Sequence, residues 1–191
     1  QIQDVTIKED ETKYFQTIDE DVARDIAVND YESALCNQIS SLENCSRKGI
    51  SDTFDSTIGA STVILPYGGK RQTTPATIMA SKPPVSGFTK TVTCSSYGLY
   101  PNLMITSPYV GATYSVIAAI SKLIASGVDY NSIYMTFQEY FLRVGKDPVR
   151  WGQPLSALLG AFDAQMNLKI GSIGGKDSMS GTYDDIDVPP T

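Results

Sequence analysis

Apolar positions along the chain follow two periods, and the switches between them predict the order of elements. Leu35, Ile39 and Leu42 recur at helical spacing behind Asp30, which predicts a helix capped by Asp30 and running to about Arg47, with Gly49 as its stop. This stripe reads as packing surface. Residues 61–66, 76–81 and 90–95 read as short strands separated by Pro and Gly clusters. The helical period returns over residues 112–126, where Val116, Ile117, Ile120, Leu123 and Ile124 share a face and Gly127 ends the element. Residues 132–137 read as a strand. Asp147 and Pro148 then open a second long helix, with Asp as N-cap and Pro in the first turn. Its predicted stripe is Trp151, Leu155, Leu158, Leu159, Phe162 and Met166. Residues 168–173 read as a strand that runs into a glycine-rich segment.

From residue 90 the order is strand, helix, strand, helix, strand. That order predicts an α/β (α+β) fold, a mixed sheet with crossover helices on one face that bury both apolar stripes. Residues 1–30 are polar and acidic, and Lys8-Glu9-Asp10-Glu11 reads as a solvated stretch. Residues 1–53 are therefore expected to form a helical connector or extension, and residues 54–191 the domain. A further strand is expected after Val188-Pro189-Pro190-Thr191, so the domain reads as incomplete at its C-terminus. No internal repeat is present.

Composition narrows the classes. A chain of 191 residues with 41% hydrophobic content suits one globular domain plus an extension. The net charge of −6 argues against a nucleic-acid surface. No apolar run approaches the roughly 20 residues of a membrane span, and no signal peptide is visible. Cys36, Cys45 and Cys94 follow no zinc spacing and read as reduced thiols of a cytoplasmic protein. The chain has no histidine, which removes a Ser-His-Asp triad, a Cys-His pair and His-based acid–base chemistry. No residue is assigned a catalytic role, and the chain reads as part of a larger catalyst.

The candidate chemistry lies in residues 171–182, Gly-Ser-Ile-Gly-Gly-Lys-Asp-Ser-Met-Ser-Gly-Thr. Glycines let backbone N–H groups approach a ligand closely, and a lysine suits phosphate. An Asp beside them would repel phosphate unless a cation such as Mg²⁺ lies between. The same residues are also good turn chemistry. A P-loop is excluded, because Ile170 and Asp177 stand where Gly and Ser or Thr are required. The second Gly-Gly-Lys, ending at Lys70, fails the same test at Ile64 and Arg71. Asp184-Asp185-Ile186-Asp187 reads as a solvated acidic turn, with cation binding as the alternative.

Taken with its flanks, the motif resembles phosphoribosylformylglycinamidine synthase, the ATP- and glutamine-dependent ligase of purine synthesis, in its large form. The resemblance rests on residues 172–191, Ser-Ile-Gly-Gly-Lys-Asp-Ser-Met-Ser-Gly-Thr through Asp-Asp-Ile-Asp-Val-Pro-Pro-Thr. It extends upstream through Trp151-Gly-Gln-Pro, Thr136-Phe-Gln-Glu-Tyr, Ser107-Pro-Tyr and Phe54-Asp-Ser-Thr-Ile-Gly-Ala. It covers roughly residues 45–191. It implies the start of the second half of the synthase core, an aminoimidazole-ribonucleotide-synthetase N-terminal-like domain of ATP-binding type. It also implies ATP and Mg²⁺ as cofactors, small-molecule substrates, and the remaining synthase domains, including a glutaminase, as partners. Ligand binding carries over to Gly174, Gly175, Lys176, Asp177 and Ser178, with Asp177 as metal ligand and Asp55 and Lys70 as weaker candidates. The chain departs from the family where Ala118 replaces a common acidic residue, with Lys122 following, which puts a structural Mg²⁺ in this half in doubt.

Two other readings compete. One is a non-catalytic nucleotide-binding or assembly module of the same superfamily, self-associating through an exposed sheet edge. The other is a selenophosphate-synthetase-like relative, against which the Trp-Gly-Gln-Pro and Asp-Val-Pro-Pro-Thr flanks argue.

Overall fold

The computed structural model describes residues 30–54 and 60–191. These fall into two compact units, residues 30–54 with 60–95, and residues 96–191.

In the first unit, helix α1 spans Tyr31–Ser40. Asp30 caps it as expected, accepting the Ser33 backbone N–H at 3.2 Å and the Ser33 hydroxyl at 2.6 Å. The helix stops earlier than predicted, because local hydroxyl and amide groups take its last carbonyls. Ser40 donates to Cys36 O and Ser41 to Gln38 O, at 2.7 and 2.8 Å. Gly49 is not a stop but lies inside a one-turn helix α2, Lys48–Ser51. Leu35, Ile39 and Leu42 are exposed, so the stripe is not buried as packing surface among the described residues. The three predicted strands all form. They are β1 (Thr62–Ile64), β4 (Met79–Ser81) and β5 (Thr93–Ser95), in an antiparallel sheet of order β1-β4-β5. A small hairpin, β2 (Tyr67–Gly68) with β3 (Thr74–Pro75), intervenes between β1 and β4.

The second unit contains α3 (Pro101–Thr106), α4 (Pro108–Ala125), β6 (Met135–Gln138), α5 (Pro148–Leu168) and β7 (Ser172–Lys176), then a hairpin of β8 (Thr182–Tyr183) and β9 (Ile186–Asp187). Helix α4 starts four residues before the predicted Ala112, because Ser107 caps it and Pro108 occupies the first turn. β6, α5 and β7 form a parallel β-α-β crossover, as the order of periods predicted. The single mixed sheet does not form among the described residues. The recorded partner of β5 is β4, and the strands divide into four small sheets.

The largest correction concerns α5. Its buried face is the small one, Gly152, Ser156, Ala157, Gly160, Ala161 and Ala164. Leu158, Leu159, Phe162 and Met166 from the predicted stripe are exposed. Small residues win because they let the backbones of α4 and α5 approach closely. A Cβ on Gly160 would meet Tyr109 O at 2.1 Å, and Thr113 Oγ1 donates to Gly160 O at 3.1 Å. Around this crossing Met104, Val116, Ile120, Met135, Phe141 and Ile170 complete the core. Among the described residues α4 is also the one helix long and apolar enough to cross a membrane, and here its Val116 and Ile120 face is packed in that core.

Candidate functional site

The glycine-rich motif is mostly strand rather than turn. Ile173, Gly174, Gly175 and Lys176 lie in β7, where Gly174, Gly175 and Lys176 pair with Thr136, Phe137 and Gln138 of β6. Neither Gly174 nor Gly175 has a left-handed backbone, and close approach of a neighbour accounts for Gly175 alone. A Cβ on Gly175 would meet Phe137 O at 2.8 Å, whereas one on Gly174 would meet nothing within 4 Å. The chain leaves the sheet at Asp177 and Ser178, the C-terminal end of two parallel strands. In open α/β sheets this is where ligands gather.

A ladder of backbone bonds fixes that end. Glu139 N–H donates to Lys176 O at 2.8 Å, Ser178 N–H to Glu139 O at 3.1 Å, and Phe141 N–H to Ser178 O at 2.8 Å. The hydroxyls of Ser178 and Ser180 lie 2.8 Å apart. Asp177 thus sits between two residues bonded to the backbone of Glu139. β6 alternates inward and outward, with Met135 and Phe141 buried and Thr136 and Gln138 exposed. Glu139 shares the inward parity and is half-buried. Burial, and then the charge of Asp177, push the Glu139 carboxyl above the usual carboxylate range.

The return of the chain is held from outside. Asp187 receives the Thr182 hydroxyl at 2.6 Å and both terminal nitrogens of Arg150, at 3.3 and 3.0 Å. Arg150 also donates to Arg143 O at 3.0 Å, and Arg143 N–H donates to the Thr182 hydroxyl at 2.8 Å. The Thr182 hydroxyl and Arg150 hold the Asp187 carboxyl below its ordinary value. Asp187 is therefore a structural ion-pair partner in the acidic stretch. Beside β6 lies a cavity of about 390 Å³, rimmed by Glu139 and otherwise largely apolar.

Gly174, Gly175, Lys176, Asp177 and Ser178 are brought together at one strand end. Lys70 belongs to the other unit, at the exposed tip of the β2–β3 hairpin, and Asp55 lies outside the described residues. Glu139 is the residue that sequence reasoning passed over. Its signal was present in Thr136-Phe-Gln-Glu-Tyr, where strand alternation puts an acid on the inward side. Lys122 is engaged elsewhere: it donates to Tyr97 O at 2.7 Å, with its ammonium 4.6 Å from the Tyr97 ring centre. Cys36, Cys45 and Cys94 are free thiols.

Among the described residues no three His, Cys, Asp or Glu side chains group to hold a metal. The donor set therefore does not make an all-protein cage. It does fit Mg²⁺ as that ion is held beside phosphates, by one or two carboxylates with phosphate and water completing the octahedron. Two adjacent carboxylates, one with its charge disfavoured, are the groups a cation would relieve.

No protein-family profile and no curated protein matches the chain. The solved structure of PurLQS from Thermotoga maritima matches it with a TM-score of 0.60 at 16% identity, over 76% of this chain and 22% of that one. The likeness is one of fold, and the chain spans less than a quarter of the structure it matches.

Proposed function

We propose that these residues serve within a phosphoribosylformylglycinamidine-synthase-like ligase, supplying a nucleotide- or ribonucleotide-binding strand end and scaffold, without being catalytically self-sufficient. The observation that carries this reading is the position of Gly174–Ser178. The motif that resembles the synthase falls at the C-terminal end of parallel strands β6 and β7, where phosphates are bound in α/β sheets. The PurLQS fold likeness supports the same family.

Each residue has a part in this reading. Gly175 lets β7 lie against β6, so that the next residues leave at a fixed point. Lys176 offers a point charge for a phosphate oxygen. Asp177, with Glu139 beside it, would hold Mg²⁺, and Ser178 and Ser180 offer hydroxyls. Bound there, the cation would neutralise phosphate charge. The partners in this reading are the remaining synthase domains, including a glutaminase, in the cytoplasm.

Lys176→Ala and Asp177→Asn, made in a synthase polypeptide containing this chain, test the reading. Loss of a charged hydrogen bond costs about 1–3 kcal/mol, so calorimetry should show ligand affinity weakened by roughly 5- to 150-fold. Unchanged binding of both Mg·ATP and the ribonucleotide substrate in both variants would return the motif to a plain structural strand and turn.

A further inference from the structure

Helix α5 carries two packing faces. One is the small, buried face that includes Gly152, Ala157, Gly160 and Ala164 and lets α4 approach. The other is the stripe Leu155, Leu158, Leu159, Phe162 and Met166, spaced i, i+3, i+4, i+7 and i+11. That spacing is the pattern of a helix face that packs on another element, and at 3.6 residues per turn it lies opposite the small face. Leu158, Leu159, Phe162 and Met166 are nonetheless exposed, Phe162 at 54% and Met166 at 61%. An ordinary surface helix turns polar residues to solvent, whereas α5 turns its largest apolar ones outward.

Charge is missing from this face. From Trp151 to Leu168 the one charged residue is Asp163, and its carboxylate accepts the Tyr109 hydroxyl of α4. The whole chain has 21 acidic and 15 basic residues, so two copies repel each other on balance, but here no like charges would meet. Ile117 and Ile124 of α4 are also exposed. They lie four and eleven residues beyond Thr113, which bonds Gly160 O, so they share the side of α4 that meets α5 and widen the patch. Six large apolar side chains about half-exposed, each of roughly 150–250 Å², present on the order of 500 Å². That matches the largest apolar patch of a typical monomer, about 300–600 Å², and exceeds half of the roughly 800 Å² that a standard interface buries on each partner.

We propose that this face joins two copies of the chain, with α5 packed antiparallel on α5 about a two-fold axis. The stripe reads alike in both directions. An axis between Leu159 and Phe162 places Leu159 against Phe162 of the second copy and Leu155 against its Met166. Antiparallel pairing also opposes the two helix dipoles, and Phe and Met without charge is the composition of an interface core. The area puts the pair at the weak end of specific interfaces, with Kd on the order of 10–100 µM. At low-micromolar concentration the chain is then a monomer. The inference is independent of the ligand reading, which concerns Glu139 and Gly174–Ser178.

The test is sedimentation equilibrium of the 191-residue chain from about 5 to 500 µM, a range that brackets that Kd. The average mass should climb from one chain toward two. Phe162→Glu and Phe162→Lys, at an exposed position, should keep the far-UV circular dichroism of the parent and weaken association about tenfold or more. An equimolar mixture of the two should dimerise again, because the two copies of residue 162 lie about one turn apart across the axis and opposite charges replace like ones. Amide shifts of the parent should move on dilution at Leu158, Leu159, Phe162 and Met166. A parent that stays monomeric over the whole range would overturn the proposal, and so would a dimer that survives both substitutions. A mixture that stays monomeric would overturn the antiparallel pairing.

Discussion

Ser178 donates its backbone N–H to the carbonyl of Glu139 at 3.1 Å, and that bond keeps the carboxylates of Glu139 and Asp177 at one strand end. Their charges oppose each other and Glu139 is half-buried; in the proposed reading a cation bound there would relieve that opposition. Glu139→Gln separates the two effects. A carboxyl whose pKa is raised on folding favours the folded state least when ionised. Its penalty is absent below the unfolded pKa and grows as pH rises through the folded value. The Gln variant should therefore raise Tm at pH 7 by a few degrees, about 2–4 °C per kcal/mol for a chain of this size. The gain should vanish near pH 3. In the same variant Mg²⁺ should raise Tm less than in the parent. Thermal melts at the two pH values, with and without Mg²⁺, check both signs.

Neighbouring glycines of the motif should respond differently to alanine. Gly175→Ala places a Cβ 2.8 Å from Phe137 O, a backbone atom that cannot swing aside. Gly174→Ala meets nothing within 4 Å. Urea denaturation should show Gly175→Ala destabilised by about 1–3 kcal/mol, the usual cost of overpacking, and Gly174→Ala within about 0.5 kcal/mol of the parent.

The two faces of α5 make a similar contrast. Gly160→Ala drives a Cβ toward Tyr109 O, 2.1 Å away, and pushes α4 from α5. It should cost about 2 kcal/mol or more. Phe162→Ser, on the exposed face, should change the stability of the 191-residue chain by less than about 1 kcal/mol, as surface substitutions do. A large loss at Phe162 by urea denaturation would place that face in a core.

Arg150 holds the β8–β9 hairpin through Asp187. Arg150→Ala should loosen the return segment while leaving α5 folded, and amide exchange at Arg143 and Val188 should quicken. Asp187 has a lowered pKa, so its contribution is present above the ordinary value of 3.8 and is lost as pH falls through the folded value. The difference in exchange between parent and Arg150→Ala should therefore shrink as pH drops below about 4.

Much of the architecture was legible wherever a cap or a period acted alone. Asp30, Asp147 and Gly127 mark element ends as read, because side-chain caps and left-handed turns are local chemistry. The stretches read as strands at residues 61–66, 76–81, 90–95 and 132–137 contain or overlap β1, β4, β5 and β6, whereas the strand read at 168–173 lies at Ser172–Lys176 because α5 runs on to Leu168. The α5 face was not legible, because large apolar residues suggest burial, whereas backbone approach at Gly160 decided the packing through a partner, Tyr109, distant in sequence. Gly49 was misread because capping by Ser40 and Ser41 ended α1 first. For the site, the motif drew attention to Gly174–Ser178 on composition. Strand alternation could mark Glu139 as an inward acid, but only parallel pairing set it against residues 176 and 178, a long-range relation that local pattern does not carry.

The central claim is that the strand end at Gly174–Ser178 receives a phosphorylated ligand. The most direct measurement is an NMR titration of the 191-residue chain with Mg·ATP and, separately, with formylglycinamide ribonucleotide. At least one ligand should shift the amides of Gly174, Gly175, Lys176, Asp177, Ser178 and Glu139, with apparent affinity about tenfold or more weaker in Lys176→Ala. Saturable shifts confined to other residues, or binding indifferent to Lys176, would contradict it.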